Sequence, residues 1–275
     1  MHRKGSGVSD TVILDAHQQA AVDAVNGGGH VHVVGGPGTG KTTVALAVME
    51  SADERFSHGR PDLWAPALFL VPDRRRARET DVLLAHHFEG RLAGLRTDGS
   101  HRLVRALSSY AYLVLGLWLI EREVALERPV MLSGADEDAW LTRFLDDSAV
   151  AVREVPEAVR RSPLFRMEIR NIMARCGQAG LFPEDLETLG RDFDKSVWRV
   201  AAAAYGAYAG GRSAFTISSP HIDPARMPRI AANILRDWDS RADEQRVTAR
   251  KPVPGVVIVD DSQDLPRSAL PLLKE

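Results

Sequence analysis

The chain has little cysteine, few aromatic residues and no long apolar run. Cys176 is the single cysteine among 275 residues, which excludes an internal disulfide and fits a reducing compartment. The longest apolar stretch, residues 110–120, is too short to cross a bilayer, and the first ten residues are polar, so we expect neither a membrane span nor a signal peptide. A net charge of −2 confines any polyanion-binding surface to a local patch. These absences predict a cytoplasmic globular protein that does not bind membranes.

A glycine-rich run with a strict pattern is the most informative feature that is present. Residues 35–43 fit the phosphate-binding pattern G-x-x-x-x-G-K-[ST]. Apolar residues 30–34 before the run predict a strand, and apolar residues 44–49 after it predict a helix. In that context, glycines admit backbone N–H groups to a phosphate, and the N-terminus of the helix favours the anion. The candidate nucleotide-binding residues are Gly35, Gly36, Pro37, Gly38, Thr39, Gly40, Lys41, Thr42 and Thr43.

Two residues of this run have expected chemical roles. Lys41 would reach the β- and γ-phosphates of a bound nucleotide, and the Thr42 hydroxyl would be a ligand of Mg²⁺. The alternative is a glycine-rich turn that matches the pattern by accident. The flanking strand and helix favour nucleotide binding over that alternative.

Strands and helices alternate at first, and helices then follow one another. Residues 67–71 predict a strand and residues 74–87 a helix, whereas apolar residues at helical spacing predict a helix over 101–128. Residues 256–259 form a β-branched run, which is typical of a strand buried on both faces of a parallel sheet. Acidic residues follow at 260–261, where parallel sheets bind their ligands.

The long helical stretch between the loop and the acidic residues predicts a divided domain. We expect an α/β fold in which residues 11–113 and 251–275 form a parallel-sheet ATP-binding domain. An all-helical domain would be inserted over residues 114–250, and residues 1–10 would be disordered. A sheet of this type should continue with further strands, so we expect the chain to be the first part of a longer polypeptide.

Several motifs together resemble those of UvrD/Rep-like superfamily 1 DNA helicases. The resemblance is carried by residues 14–22 (Q motif), 35–42 (motif I), 69–73 (motif Ia), 107–111 (motif Ib) and 257–264 (motif II). The Asp-Asp pair in the last of these is similar to that of RecB-like, AdnA-type helicase–nuclease subunits of actinobacteria.

The resemblance implies a fold and a function. The sheet domain would be a P-loop RecA-like domain 1A, interrupted by the helical domain 1B, and this chain would hold only the first motor lobe. The implied activity is an ATP-dependent 3′→5′ DNA helicase or translocase in DNA repair or end processing. Its cofactors would be ATP and Mg²⁺, its substrate single-stranded or duplex-end DNA, and its partner a helicase–nuclease subunit.

Two other functions remain open from the sequence. The chain could be a motor-attenuated structural subunit that binds ATP and DNA beside an active partner. It could also be a P-loop NTPase unrelated to nucleic acid. The first alternative rests on Asp261, because the family carries glutamate there and aspartate is one methylene shorter.

The resemblance also assigns roles to single residues around the nucleotide. Gln18 would read adenine through its amide, although Asp15 and Gln18 also fit a helix capping box. Asp260 would hold Mg²⁺ through a water, and Asp261 would orient the attacking water. Gln263 would sense the γ-phosphate, although it could equally belong to the first turn of a helix.

A basic run and motif Ib are the candidate DNA contacts. Arginines at 74, 75, 76 and 78 would contact the backbone of single-stranded DNA, and the alternative is a solvated helix face. The DNA candidates are Arg74, Arg75, Ser108, Ser109 and Tyr110, and the alternative for Tyr110 is core packing. Four tryptophans stand at apolar helical spacings, which predicts core packing for Trp118, Trp140, Trp198 and Trp238.

Overall fold

A computed structural model gives the fold, and two compact units make up the chain. The structure describes residues 13–56, 64–88, 103–121, 130–131, 134–147, 155–211, 221–222, 224–245 and 250–275. We call Met1–Ala106 with Pro252–Ser262 the sheet unit, and Leu107–Lys251 with Gln263–Glu275 the helical unit. The predicted disordered segment, 1–10, lies outside the described residues.

Helices dominate the described residues, and the strands are few and short. The helices are α1 (Ala16–Asn26), α2 (Lys41–Phe56), α3 (Arg74–Phe88), α4 (Leu107–Glu121), α5 (Gly134–Asp147), α6 (Glu157–Arg160), α7 (Pro163–Ala179), α8 (Pro183–Asp192), α9 (Ser196–Gly211), α10 (Met227–Gln245) and α11 (Leu270–Lys274). The strands are β1 (Ala65–Val71), β2 (Val104–Ala106), β3 (Val130–Met131), β4 (His221–Ile222) and β5 (Pro254–Val259).

The sheet unit is built on three parallel strands in the order β2-β1-β5. Leu70 pairs with Arg105 on one side and with Val259 on the other. The middle strand β1 is buried along almost its whole length, and α2 packs against both β1 and β5. Phe69 and Met49 are fully buried in the shared core. The predicted strand over 67–71 and the predicted helix over 74–87 are confirmed by β1 and α3.

The predicted strand before the glycine loop is wrong for this structure. Residues 30–34 lie outside the sheet, and the Val34 side chain is 81% exposed. A β-branched run forms a strand only where its backbone is hydrogen-bonded to a neighbouring strand, and residues 30–34 pair with none of the three strands of this sheet.

The prediction of one continuous helix over 101–128 is also wrong. Val104–Ala106 is strand β2, and the helix begins only at Leu107. A strand of three residues is too short for the spacing of its apolar side chains to distinguish it from a turn of helix. The last predicted residues of that helix, 122–128, lie outside the described residues.

Strand β5 confirms the predicted strand over 256–259 but not its burial on both faces. Val257 is 45% exposed, whereas Ile258 is buried. Within the described residues, β5 pairs with β1 on one side only, which makes it an edge strand.

The helical unit contains a second core. Helix α9 packs against α7 and α8, and α4 packs against α10. Trp118 and Trp238 are each 2% exposed, with their ring centroids 5.1 Å apart. Trp140 and Trp198 pack against a separate cluster that contains Ile169. Core packing is therefore confirmed for these tryptophans.

The boundaries of the units differ from the predicted domain boundaries. The helical unit begins at Leu107, earlier than residue 114, and it also includes the last residues from Gln263. Helix α11 packs against α10, and Arg236 Nη2 forms an ion pair with Glu275 Oε1 at 2.9 Å. These contacts explain why the last segment groups with helices and not with the strand that precedes it.

Candidate functional site

The glycine loop has a backbone that only glycine adopts easily. Gly38 and Gly40 have φ values of 76° and 83°, in the left-handed region that disfavours side chains. A Cβ atom added at Gly35 would overlap Thr39 Oγ1. Thr39 in turn donates from Oγ1 to the carbonyl oxygen of Gly36 at 2.9 Å. The loop is therefore a tight turn in which Gly38 and Gly40 have left-handed backbones and Gly35 leaves room for the Thr39 side chain.

Lys41 is the first residue of α2, and its ammonium group is held against the loop. Its Nζ donates to the carbonyl oxygens of Gly35 at 2.7 Å and Gly36 at 2.8 Å. The first N–H groups of α2 lack partners within the helix, and the helix dipole adds partial positive charge there. The loop thus brings a cation and a helix N-terminus to one place, an arrangement that binds phosphate.

Gln18 caps its own helix and also contacts the loop. Asp15 Oδ1 accepts from the backbone N–H groups of His17 at 2.8 Å and Gln18 at 2.9 Å, while Gln18 Oε1 accepts from the Asp15 N–H at 3.0 Å. Gln18 Nε2 then donates to the carbonyl oxygen of Thr39 at 3.4 Å. The capping box expected as the alternative is therefore present, and it holds the side-chain amide beside the loop.

The two acidic residues after β5 lie at the carboxyl end of the sheet. The N–H of Asp260 donates to the carbonyl oxygen of Leu70 on β1 at 3.0 Å, so the ladder extends one residue beyond the strand. Asp260 Oδ1 accepts from the N–H of Asp261 at 3.0 Å. Asp261 has a φ of 50°, which is uncommon for a residue other than glycine. Thr42 lies on α2, which packs against β5, and Asp260 is the residue that directly follows β5.

Helix α3 begins at the same end of the sheet with a capping aspartate and three arginines. Asp73 Oδ1 accepts from the N–H groups of Arg75 at 2.8 Å and Arg76 at 2.9 Å. The hydrogen bond from the Arg76 backbone is the main reason that the pKa of Asp73 is lowered. Arg74 and Arg75 are exposed, and Arg75 also forms an ion pair with Glu79 at 3.0 Å.

Arg76 pairs with one of the predicted catalytic residues. Its Nη1 lies 3.1 Å from Asp261 Oδ2. In the sequence, Arg76 is one of four arginines in a basic run, and no local pattern indicates a specific partner for it. The signal that could have identified the pair is topological, because residues that follow neighbouring parallel strands emerge at the same edge.

The remaining candidates belong to the helical unit. Ser108 and Ser109 are half-buried in the first turn of α4. Tyr110 is 4% exposed, as its core-packing alternative requires. Gln263 is exposed in a short 3₁₀ turn, Ser262–Asp264, which fits the helical-turn alternative.

A cluster of protein ligands for a metal is absent from the part of the chain that the structure describes. No group of three or more His, Cys, Asp or Glu side chains there is arranged to hold an ion. A nucleotide-bound Mg²⁺ does not need one, because phosphates and waters fill most of its positions. Cys176 is buried, and burial raises the pKa of its thiol, which makes it an inert core residue.

The described helices give no membrane span, since none is both long and apolar enough to cross a bilayer. No protein-family model matches the sequence, and no curated protein matches it. The motifs, and the contacts among the residues that carry them, are therefore the basis for a proposed function.

Proposed function

We propose that this chain is the first motor lobe of an ATP-dependent 3′→5′ DNA helicase or translocase of the UvrD/Rep type. It would act in the cytoplasm in DNA repair or end processing, beside a helicase–nuclease partner subunit. The sheet unit would be a P-loop RecA-like domain 1A and the helical unit an inserted domain 1B. The observation that carries the proposal is the contact between Gln18 and the glycine loop, 21 positions later in the chain.

That contact supports an adenine nucleotide in particular. A phosphate-binding loop alone fits many nucleotides, whereas a glutamine amide beside it can both donate to and accept from the edge of adenine. The Gln18 amide is fixed by the capping box, so little conformational entropy is lost when a base binds.

The proposed reaction is hydrolysis of ATP by in-line attack of water. The water oxygen bonds to the γ-phosphorus, the bond to the β–γ bridging oxygen breaks, and ADP and inorganic phosphate leave. Lys41 and a Mg²⁺ held by Thr42 and Asp260 would stabilise the developing charge. Asp261 would orient the water, and Gln263 would sense the γ-phosphate region. One lobe cannot close around ATP, so we expect this chain to bind Mg-ATP but to hydrolyse it slowly.

The DNA part of the proposal rests on the arginines at the start of α3. Their charges would neutralise phosphates without reading bases, so binding should weaken steeply with salt. Ser108 and Ser109 would add hydroxyl contacts to the backbone.

Titration of the purified chain with Mg-ATP tests the nucleotide part. We expect Lys41→Ala to weaken binding at least tenfold and Lys195→Ala, an exposed lysine in the helical unit, to leave it unchanged. Equal binding by Lys41→Ala would overturn the proposal.

Loss of single-stranded DNA binding on replacing Arg74, Arg75, Arg76 and Arg78 with alanine would support the DNA part. Mg-ATP binding without any DNA binding at low salt would favour an NTPase unrelated to nucleic acid.

A motor-attenuated subunit is the second candidate, and the Arg76–Asp261 ion pair favours it. A carboxylate that is already engaged, and one methylene shorter than glutamate, is less able to orient a water. Asp261→Glu separates the two candidates. A rise in the rate of ATP hydrolysis would favour the attenuated subunit, and an unchanged or lower rate would favour an active motor whose pocket fits aspartate.

A further inference from the structure

The guanidinium of Arg76 belongs to the candidate DNA-binding segment and also contacts the candidate nucleotide site. It belongs to the basic first turn of α3, the candidate DNA-binding segment, and it forms an ion pair with Asp261, the candidate water-orienting residue. The neighbouring Arg75 instead pairs along its own helix with Glu79. Arg76 is thus the residue through which DNA and the nucleotide site could be coupled.

The topology of the sheet fixes this juxtaposition. Strands β1 and β5 are parallel neighbours, with Leu70 opposite Val259. Their following residues therefore emerge side by side, as the hydrogen bond from the Asp260 N–H to the Leu70 carbonyl shows. Asp73 caps α3 and sets where the helix starts, which places Arg76 facing the segment after β5.

The ion pair is exposed enough for another anion to compete for it. The Arg76 side chain is 44% exposed and that of Asp261 is 27% exposed. Pairs of this kind are weak, because water screens the charges and holding two side chains costs entropy. Three arginines in the first turn also oppose the positive end of the helix dipole, so an incoming phosphate would relieve repulsion there.

We propose that Arg76 is a positioning residue shared between Asp261 and the DNA backbone. Without DNA, Arg76 holds the Asp261 carboxylate. A DNA phosphate takes the guanidinium, and the released carboxylate orients the attacking water. This inference rests on the proposed function and adds to it the means by which DNA would stimulate ATP hydrolysis.

A double-mutant cycle on single-stranded DNA binding tests the sharing. The probe is a fluorescein-labelled oligothymidylate, and its anisotropy is measured at low salt with wild type, Asp261→Asn, Arg76→Ala and the double variant. Asp261→Asn should tighten DNA binding by about two- to fivefold, because it frees Arg76. The same substitution in the Arg76→Ala background should give no more than the small gain expected from one fewer negative charge.

Glu79→Gln is the matched control, since it removes the same charge from an ion pair on the same helix. The gain in DNA affinity from Glu79→Gln should persist in the Arg76→Ala background and should be lost in the Arg75→Ala background. A gain from Asp261→Asn that survives Arg76→Ala in full would show only a general charge effect and would overturn the sharing.

Single-turnover ATP hydrolysis gives a second readout that a merely structural role would not move. Arg76→Ala should raise the rate without DNA and abolish any stimulation by DNA, whereas Arg76→Lys should retain part of that stimulation. An unchanged stimulation ratio in Arg76→Ala would contradict the proposal.

The experiments distinguish this inference from the function on which it rests. If the wild-type chain binds neither Mg-ATP nor single-stranded DNA, the proposed function fails and the sharing fails with it. If the wild type binds both but the cycle is additive, only the role of Arg76 is overturned.

Discussion

The side-chain amide of Gln18 bridges the start of α1 and the glycine loop, with Oε1 accepting from the Asp15 N–H and Nε2 donating to the Thr39 carbonyl. One end of the amide therefore stabilises a helix, and the other end contacts the candidate nucleotide site. The two roles can be separated by choosing which end of the amide to change.

Gln18→Glu should separate capping from nucleotide binding. Glutamate keeps the acceptor that completes the capping box, so the free energy of unfolding should stay within about 0.5 kcal/mol of wild type. It loses the Nε2 donor, so affinity for ATP should fall by roughly three- to tenfold. Titrations with ATP and GTP, together with denaturant unfolding, measure both effects.

Gln18→Ala is the comparison variant, because it removes both ends of the amide. It should destabilise the chain by about 1 kcal/mol and also weaken ATP binding. If Gln18→Glu binds ATP as tightly as wild type while preferring it to GTP, the adenine role of Gln18 is wrong.

Gly40→Ala should weaken the binding of ATP more than Gly38→Ala does. Both residues have left-handed backbones, so alanine costs about 1–2 kcal/mol at either position. At Gly40 the new Cβ would also overlap Gln18 Nε2, whereas the space around Gly38 is open. Isothermal titration with Mg-ATP would rank the two variants, and the reverse order would contradict the geometry of the loop.

Gly116→Ala is the opposite control in the helical unit. Gly116 lies inside α4, and nothing lies within 4 Å of an added Cβ. Alanine is the better helix former, so this substitution should stabilise α4 by about 0.5–1 kcal/mol and leave ATP binding unchanged.

The acid stability of the helical unit should depend on Asp138. Arg166 Nε donates to Asp138 Oδ1 at 2.9 Å, and this hydrogen bond is the main reason that the pKa of Asp138 is lower than that of an ordinary aspartate. Because the pKa of Asp138 is lower in the folded state, ionised Asp138 contributes fully to the free energy of unfolding at a pH above its pKa in the unfolded chain. This contribution is lost as the pH falls through its pKa in the folded chain.

Asp138→Asn tests that dependence. It should lower the free energy of unfolding by a constant amount between about pH 5 and 7, and this difference should shrink below about pH 4. Urea unfolding at several pH values measures it. In an Arg166→Met background most of the pH dependence of the difference should disappear, with a smaller part remaining from the charge of Arg170. A pH dependence that persists there in full would contradict the role of Arg166.

Trp238 should be among the most costly residues to truncate. It is 2% exposed and packs on Trp118, so Trp238→Ala should destabilise the helical unit by about 3–5 kcal/mol. Leu164→Ala, at a side chain that is 71% exposed, should change stability by no more than about 0.5 kcal/mol. Comparable losses for the two variants in thermal unfolding would contradict this packing.

Local signals explain which parts of the fold could be predicted from the sequence. The start of α1 follows from Asp15 and Gln18 at capping spacing, and α7 starts after Ser162 because Pro163 fits the first helical position. The left-handed glycines of the loop follow from its motif. Each of these features depends on residues within a few positions of each other.

Features that depend on neighbours could not be predicted in the same way. Residues 30–34 are as β-branched as a strand, but they lie outside the sheet because pairing partners decide strand formation. Strand β2 is too short to show a period. The Arg76–Asp261 ion pair joins residues far apart in sequence, and only the parallel register of β1 and β5 brings them together.

The position of β1 between two neighbours has a consequence for hydrogen exchange. Its amides and carbonyls have strands on both sides, whereas those of β5 face a strand on one side within the described residues. Amide protons of β1 should therefore exchange slowest in the sheet unit, at a rate set by opening of the whole unit, and β5 should exchange through smaller local openings. The relative exchange rates of the two strands are thus set by their place in the sheet, although both consist of apolar residues.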